Sequence, residues 1–114
     1  MESSPPLFEV KADLFKALAH PARIRALEVL AEGERSVSDL QPAVGIEPAH
    51  LSQQLGILRR ADLVTSRREG TTVIYAIRDP RLVDLLAVAR ALLISSLEGT
   101  RDLLAVLESE QPRR

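Results

Sequence analysis

Residues 37–77 carry a succession of patterns that leaves few folds open to this chain. Residues 48–60 begin with a proline and contain leucines four and then three positions apart, which predicts an amphipathic helix with one buried stripe. The leucines of this stripe are Leu51, Leu55 and Leu58. Gly45 precedes the helix and is typical of the turn that ends a shorter helix, while two β-rich runs around Gly70 predict a hairpin. This order is that of a winged helix-turn-helix.

The flanking segments are predicted to be helical. Apolar residues recur at helical spacing from Leu7, a second helix follows Pro21, and a long apolar helix runs from Leu82 to about residue 110, with Gly99 as a candidate break. We therefore expect a mainly α fold with a small β-hairpin wing, in the order α-α-α-α-β-β-α, and dimeric. The predicted parts are a flexible N-terminal arm (1–6), the winged helix-turn-helix DNA-binding and dimerisation domain (7–98), and a C-terminal helical extension and tail (99–114).

The charge distribution points to one basic surface. The chain of 114 residues has a formal net charge of −1. Residues 59–81 nevertheless hold six arginines against three acids, a net charge of +3, while the segments before and after them are acidic. A local positive field can direct a polyanion to one surface of a protein that is acidic elsewhere.

The exposed face of the 48–60 helix offers groups suited to a DNA groove. Gln53 and Gln54 can pair through their amides with an adenine edge, and we expect at least one of them to contact a base or a phosphate. Small residues such as Ala49 and Ser52 admit the helix into the groove. The predicted DNA contacts of the helix and of the wing are Pro48, Ala49, His50, Ser52, Gln53, Gln54, Arg60, Arg67, Arg68, Thr71 and Thr72.

The first and last helices carry more apolar surface than a core of this size can cover. Large exposed apolar patches mark interfaces, so we expect these helices to form a homodimer. The predicted interface residues are Leu7, Phe8, Val10, Leu14, Phe15, Leu82, Leu85, Leu86, Ala89, Leu92 and Leu93.

The residue inventory argues against several other functions. There are no cysteines and only two histidines, and no nucleotide-binding or catalytic motif occurs, so we expect neither an enzyme nor a cofactor. Three aromatic residues are too few for an RNA-stacking surface. No apolar run is long enough to cross a membrane, and the N-terminus does not resemble a signal peptide, so we expect a cytoplasmic protein.

Three stretches, "LAHPARIRALEVL", "VGIEPAHLSQQLGILRRADLV" and "RREGTTVIYAI", resemble in order and spacing the ArsR/SmtB family of bacterial transcriptional repressors. The resemblance runs from about Leu7 to Leu97. It implies a homodimer that binds an operator palindrome and leaves it when an effector arrives. In the family's metal sensors, two cysteines often occupy the positions of Ser36 and Ser38, and a second site uses Asp and His ligands on the last helix.

Both of these metal sites are missing here. Hydroxyls bind soft metals poorly, and residues 81–110 contain no histidine. We therefore predict no metal site, and expect "ERSVSDL" to form the entry to the third helix, with Ser36 or Ser38 capping it and Asp39 complementing its dipole. A small organic effector is compatible with the sequence, which does not name it. The alternative function is a winged-helix dimer that binds another protein without specific DNA binding.

Overall fold

The computed structural model describes residues 4–96 and 101–110 and contains six helices and three strands among them. The elements are α1 (Leu7–Leu18), α2 (Pro21–Leu30), β1 (Arg35–Ser36), α3 (Val37–Val44), α4 (Pro48–Arg60), β2 (Val64–Glu69), β3 (Thr72–Ile77), α5 (Arg81–Ser96) and α6 (Arg101–Ser109). The predicted order is confirmed and gains two elements, the short strand β1 and the separate helix α6. The predicted break at Gly99 and the first three residues of the predicted arm lie outside the described residues.

Local sequence signals explain where the helices begin and end. The His20 side chain caps α2 by accepting a hydrogen bond from the Ala22 N–H at 3.0 Å, and Pro21 follows at the first helical position. Ser36 caps α3 by accepting from the Asp39 N–H at 3.1 Å. Gly45 ends α3 in the left-handed region, at φ 80°. Of the two serines that the sequence offered as caps, Ser36 is the one used.

The chain divides into two compact units, Met1–Val83 and Asp84–Arg114. In the first, α2, α3 and α4 pack on one another and on the sheet. Its core is aliphatic, as a chain with three aromatic residues requires. The fully buried large side chains are Leu27, Leu40, Leu51, Leu55, Leu58 and Val64.

The sheet is antiparallel with the strand order β1-β3-β2. Gly70, at φ 64°, lies in the turn between β2 and β3, as the sequence predicted. Asp62 also adopts a positive φ of 61° and turns the chain from the end of α4 directly into β2. The hairpin therefore lies next to α4, which contacts β2.

The second unit contains most of α5 and all of α6. Large apolar side chains are exposed on both helices: Val88, Leu92, Leu93, Ile94 and Val106. Within the part of the chain that the structure describes, no helix combines the length and the hydropathy that a membrane span needs.

Candidate nucleic-acid interface

Helix α4 has a buried side and an exposed side. Leu51, Leu55 and Leu58 are fully buried, which is the stripe that the leucine spacing predicted. The remaining predicted contact residues of α4, other than Gln54, are all exposed: Pro48, Ala49, His50, Ser52, Gln53 and Arg60. One face of α4 is therefore free to approach another molecule, and it presents an amide, a hydroxyl, an imidazole and a guanidinium.

Gln54 does not lie on that free face. Its side chain is buried, with 6% of the residue exposed, and its Oε1 accepts a hydrogen bond from Arg23 Nη1 at 3.2 Å. The other terminal nitrogen of Arg23 donates to the Lys16 carbonyl oxygen at 3.5 Å, and no partner within the described residues faces its buried Nε. This corrects the inclusion of Gln54 among the predicted DNA contacts: its side chain joins α4 to Arg23 of α2, and through Arg23 to α1.

The two histidines of the chain meet at the start of α4. The rings of His20 and His50 lie edge to face, with 6.1 Å between their centroids and 84° between their planes. No local pattern in the sequence indicates that His20 and His50 touch. Among the described residues no group of three or more histidine, cysteine, aspartate or glutamate side chains could hold a metal ion.

Adjacent arginines of the wing point to opposite faces of the sheet. Successive residues of a strand alternate between faces, so Arg67 and Arg68 are on opposite sides of β2. Arg68, Thr71 and Thr72 are exposed at the tip. Arg68 shares its face of β2 with Val64, which is buried in the core at the base of the hairpin.

Arg67 is held by two carboxylates. Its Nη1 and Nη2 each donate to Glu34 at 2.7 Å, and its Nε and Nη2 donate to Glu69 at 3.0 and 2.7 Å. Hydrogen bonds from Arg67 hold the pKa of Glu34 below its usual value, and those to Glu34 and then Glu69 raise the pKa of Arg67. The sequence reading missed Glu34 because its partner is 33 residues away and no local pattern connects them.

A cleft of about 330 Å³ opens in the first unit between the end of α2 and β3. Its walls are mainly apolar and its rim carries Glu32 and Glu34. The lining residues are Leu30, Ala31, Glu32, Gly33, Glu34, Ala76, Ile77, Pro80 and Val83. Both rim carboxylates already pair with arginines, Glu32 with Arg35 and Glu34 with Arg67.

The predicted dimer residues divide by burial. Leu7, Phe8, Val10 and Phe15 of α1 are exposed, as are Ala89, Leu92 and Leu93 of α5. Leu14, Leu85 and Leu86 are half-buried. Leu82 is only 7% exposed, so its side chain is already covered within the protomer and it is removed from the predicted interface. Val88 and Ile94, which the predicted interface does not include, are also exposed on α5.

The order of helices and strands, the exposed face of α4 and the adjoining hairpin define a winged helix-turn-helix. Residues 20–66 match the model of the bacterial regulatory proteins of the arsR family. The chain belongs to the ArsR family of transcriptional regulators, which confirms the family resemblance and the prediction that it is not an enzyme.

Individual relatives agree with this assignment. The chain is 54% identical over 106 residues to the HTH-type transcriptional regulator Rv0081 of Mycobacterium tuberculosis, covering 92% of this chain and 90% of that protein. The crystal structure of Rv0081 matches with a TM-score of 0.77 over 84% of this chain and 97% of that chain. The biofilm growth-associated repressor of Agrobacterium fabrum is 39% identical over 88 residues, 77% of this chain and 75% of that protein.

A further solved structure is similar over most of the chain. It is the solution structure of the homodimeric winged helix-turn-helix DNA-binding domain of Mb0332 from Mycobacterium bovis, described as a possible ArsR-family regulator. Its identity to this chain is 31% and the TM-score is 0.74, over 89% of this chain and 97% of that one.

Proposed function

We propose that the protein is a cytoplasmic repressor that binds double-stranded DNA at an inverted repeat as a homodimer. The observation that carries this proposal is the exposed polar face of α4 beside a wing tip that carries Arg68, Thr71 and Thr72. A helix of this kind places its polar side chains in the major groove, while wing cations and hydroxyls contact phosphates. Repression is supported by similarity to repressors, such as the biofilm growth-associated repressor of Agrobacterium fabrum.

The homodimer is supported by exposed apolar side chains. Leu7, Phe8 and Phe15 on α1 and Leu92 and Leu93 on α5 are each more than half exposed, which is typical of surfaces that a partner covers. A similar structure, that of Mb0332, is described as homodimeric. Two copies of α4 related by a twofold axis would read an inverted repeat with half-sites about one helical turn, or a small multiple of it, apart.

The effector of this repressor is not a metal bound by thiolates, because the chain contains no cysteine. A relative described as a probable mercury resistance operon repressor is 34% identical over 84 residues, but a soft metal of that kind prefers the thiolates that are missing here. A small organic molecule is a class of effector that is compatible with the chain.

Footprinting on the DNA upstream of the protein's own gene tests the proposal. We expect a protected inverted repeat on one face of the duplex and an affinity that falls steeply as the salt concentration rises, because phosphate contacts release counterions. Binding that is independent of salt and sequence, or a partner protein captured in place of DNA, would support the alternative of a protein-interaction module.

A further inference from the structure

Arg67 crosses one face of the sheet to reach Glu34. It lies on β2, while Glu34 immediately precedes β1, and β3 runs between these two strands. The bidentate contact, with both N···O distances at 2.7 Å, therefore ties the wing strand to the segment that leads into α3. Paired hydrogen bonds of this geometry fix the direction of a guanidinium as well as its position.

The charges around Arg67 make this face a poor site for phosphate. Glu34 and Glu69 surround one guanidinium with two carboxylates, so the three side chains together carry a net charge of −1. A phosphate that approached Arg67 from this side would face both carboxylates or would have to displace them. The hydrogen bonds also keep Glu34 ionised, since they lower the pKa of its carboxyl.

The opposite face of β2, which carries Arg68, is better suited to bind a phosphate than the face that carries Arg67. Arg68 lies on the face whose base, at Val64, packs into the core formed with the helices, and β2 contacts α4 directly. No hydrogen bond or ion pair involves the Arg68 side chain within residues 4–96 and 101–110 as described. Its guanidinium is therefore available to an anion on the face of the sheet opposite to Arg67.

We propose that Arg67 is a positioning residue that braces the wing against Glu34, and that Arg68 alone of this pair contacts a phosphate. This inference rests on the proposed binding of DNA. It assigns different roles to Arg67 and Arg68, which the sequence analysis predicted together as DNA contacts. It also implies that Glu34 affects DNA binding by positioning Arg67, without contacting DNA itself.

The test measures operator affinity at several salt concentrations for Arg67→Gln, Arg67→Lys, Glu34→Gln and Arg68→Gln. We expect the first three to weaken binding about two- to fivefold, as the loss of an exposed ion pair allows, with an unchanged salt slope. Lysine keeps the charge but not the paired hydrogen bonds, so it should not rescue. Arg68→Gln should lower the slope by about 0.9, the value of one phosphate contact.

The charge exchange Glu34→Arg with Arg67→Glu gives a second, independent readout. It keeps opposite charges at positions 34 and 67 but places a carboxylate at position 67 beside Glu69, so we expect it to bind better than Arg67→Glu alone and more weakly than wild type. A lower salt slope in Arg67→Gln, tighter binding by Glu34→Gln, or no recovery in the exchange variant would each show that Arg67 contacts phosphate instead.

A measurement without DNA separates this inference from the proposed function. In the free protein, we expect the Nη–H protons that Arg67 donates to Glu34 to give a resolved, slowly exchanging NMR signal that is lost in Glu34→Gln. The absence of that signal in the wild type would contradict the positioning of Arg67 by Glu34, even if the protein binds DNA. If the signal is present in a protein that binds no DNA, the contact between Arg67 and Glu34 is supported and the proposed function is overturned.

Discussion

Gln53 and Gln54 are neighbours in the sequence, but they differ in burial. Gln53 is exposed on α4, while Gln54 is buried and bonded to Arg23. We expect Gln54→Ala to lower the free energy of unfolding by about 1–2 kcal/mol, because it leaves a partly buried arginine without its acceptor. Gln53→Ala is the matched control and should change stability by less than about 0.5 kcal/mol. Denaturant titration of both variants measures the difference, and equal stabilities would contradict the assigned burial.

The same pair of variants separates base reading from helix positioning. Gln53→Ala should cost about 1–3 kcal/mol in operator affinity and relax the preference at one base position. Gln54→Ala should not relax any single position, since its amide does not reach the DNA face. Affinities for operators with single-base changes decide this. Relaxed specificity in the Gln54 variant alone would reverse the two roles.

The leucine spacing of α4 was sufficient to predict its buried stripe, but it could not show how wide the stripe becomes. By the 100° step of a helix, Gln54 lies about 40° from Leu58, at the margin of the apolar face. What covers this margin is Arg23, 31 residues earlier in the chain. A partner so distant leaves no trace in a local pattern, and the same is true of Glu34 and Arg67.

At the scale of the helices, the two serines of "ERSVSDL" allow a direct test of capping. Ser36 accepts the Asp39 N–H, while Ser38 is exposed inside the first turn of α3. We expect Ser36→Ala to destabilise the fold by about 1 kcal/mol, because it removes this hydrogen bond from the helix start. Ser38→Ala should change stability by less than about 0.5 kcal/mol. Thermal melts compare them, and a larger loss in the Ser38 variant would be incompatible with the observed cap.

The start of α5 predicts a pH dependence. Asp79 accepts hydrogen bonds from the Arg81 guanidinium and, at 2.9 Å, from the Arg81 backbone N–H, and these bonds lower the pKa of Asp79 from 3.8 to about 2. Since the folded pKa is the lower one, this stabilisation is complete above about pH 4 and is lost as the pH falls towards about 2. We expect Asp79→Ala to lower the melting temperature near neutral pH and to differ progressively less from wild type below about pH 4.

The exposed Asp13 of α1 provides the control for that measurement. Asp13→Ala should leave the melting temperature nearly unchanged at every pH, because no partner of its carboxylate occurs among the described residues. A constant difference between Asp79→Ala and wild type from about pH 6 to about pH 2 would show that the carboxylate does not stabilise the start of α5 by its charge.

The exposed apolar residues of α5 predict that two copies of the chain associate. Leu92 is 67% exposed, and we expect Leu92→Glu to convert a dimer into a monomer because it places a charge in an apolar interface. Ala87→Glu is the control, since Ala87 is exposed on the opposite side of α5 by the helical repeat. Sedimentation at low micromolar concentration measures both. A monomeric wild type would remove the predicted homodimer.

The absence of metal sensing is tested by adding metal ions to the protein bound to its operator. We expect Zn²⁺, Cd²⁺, Ni²⁺ and arsenite to leave the protein bound to its operator, because the chain has no thiolate and the described residues hold no metal-ligating cluster. Stoichiometric release of DNA by one of these ions, abolished in His50→Ala or Ser38→Ala, would show a metal site that the sequence and the fold do not reveal.

The contact between His20 and His50 provides a natural spectroscopic probe. These are the only imidazoles of the chain, which has no tryptophan, and one of them lies on the exposed face of α4. In a proton spectrum of unlabelled protein, the few aromatic signals include those of the two imidazole rings, which lie at this one location. Binding of an operator should shift the His50 resonance directly and that of His20 through the neighbouring ring, so an occupied recognition helix can be observed without attaching any label.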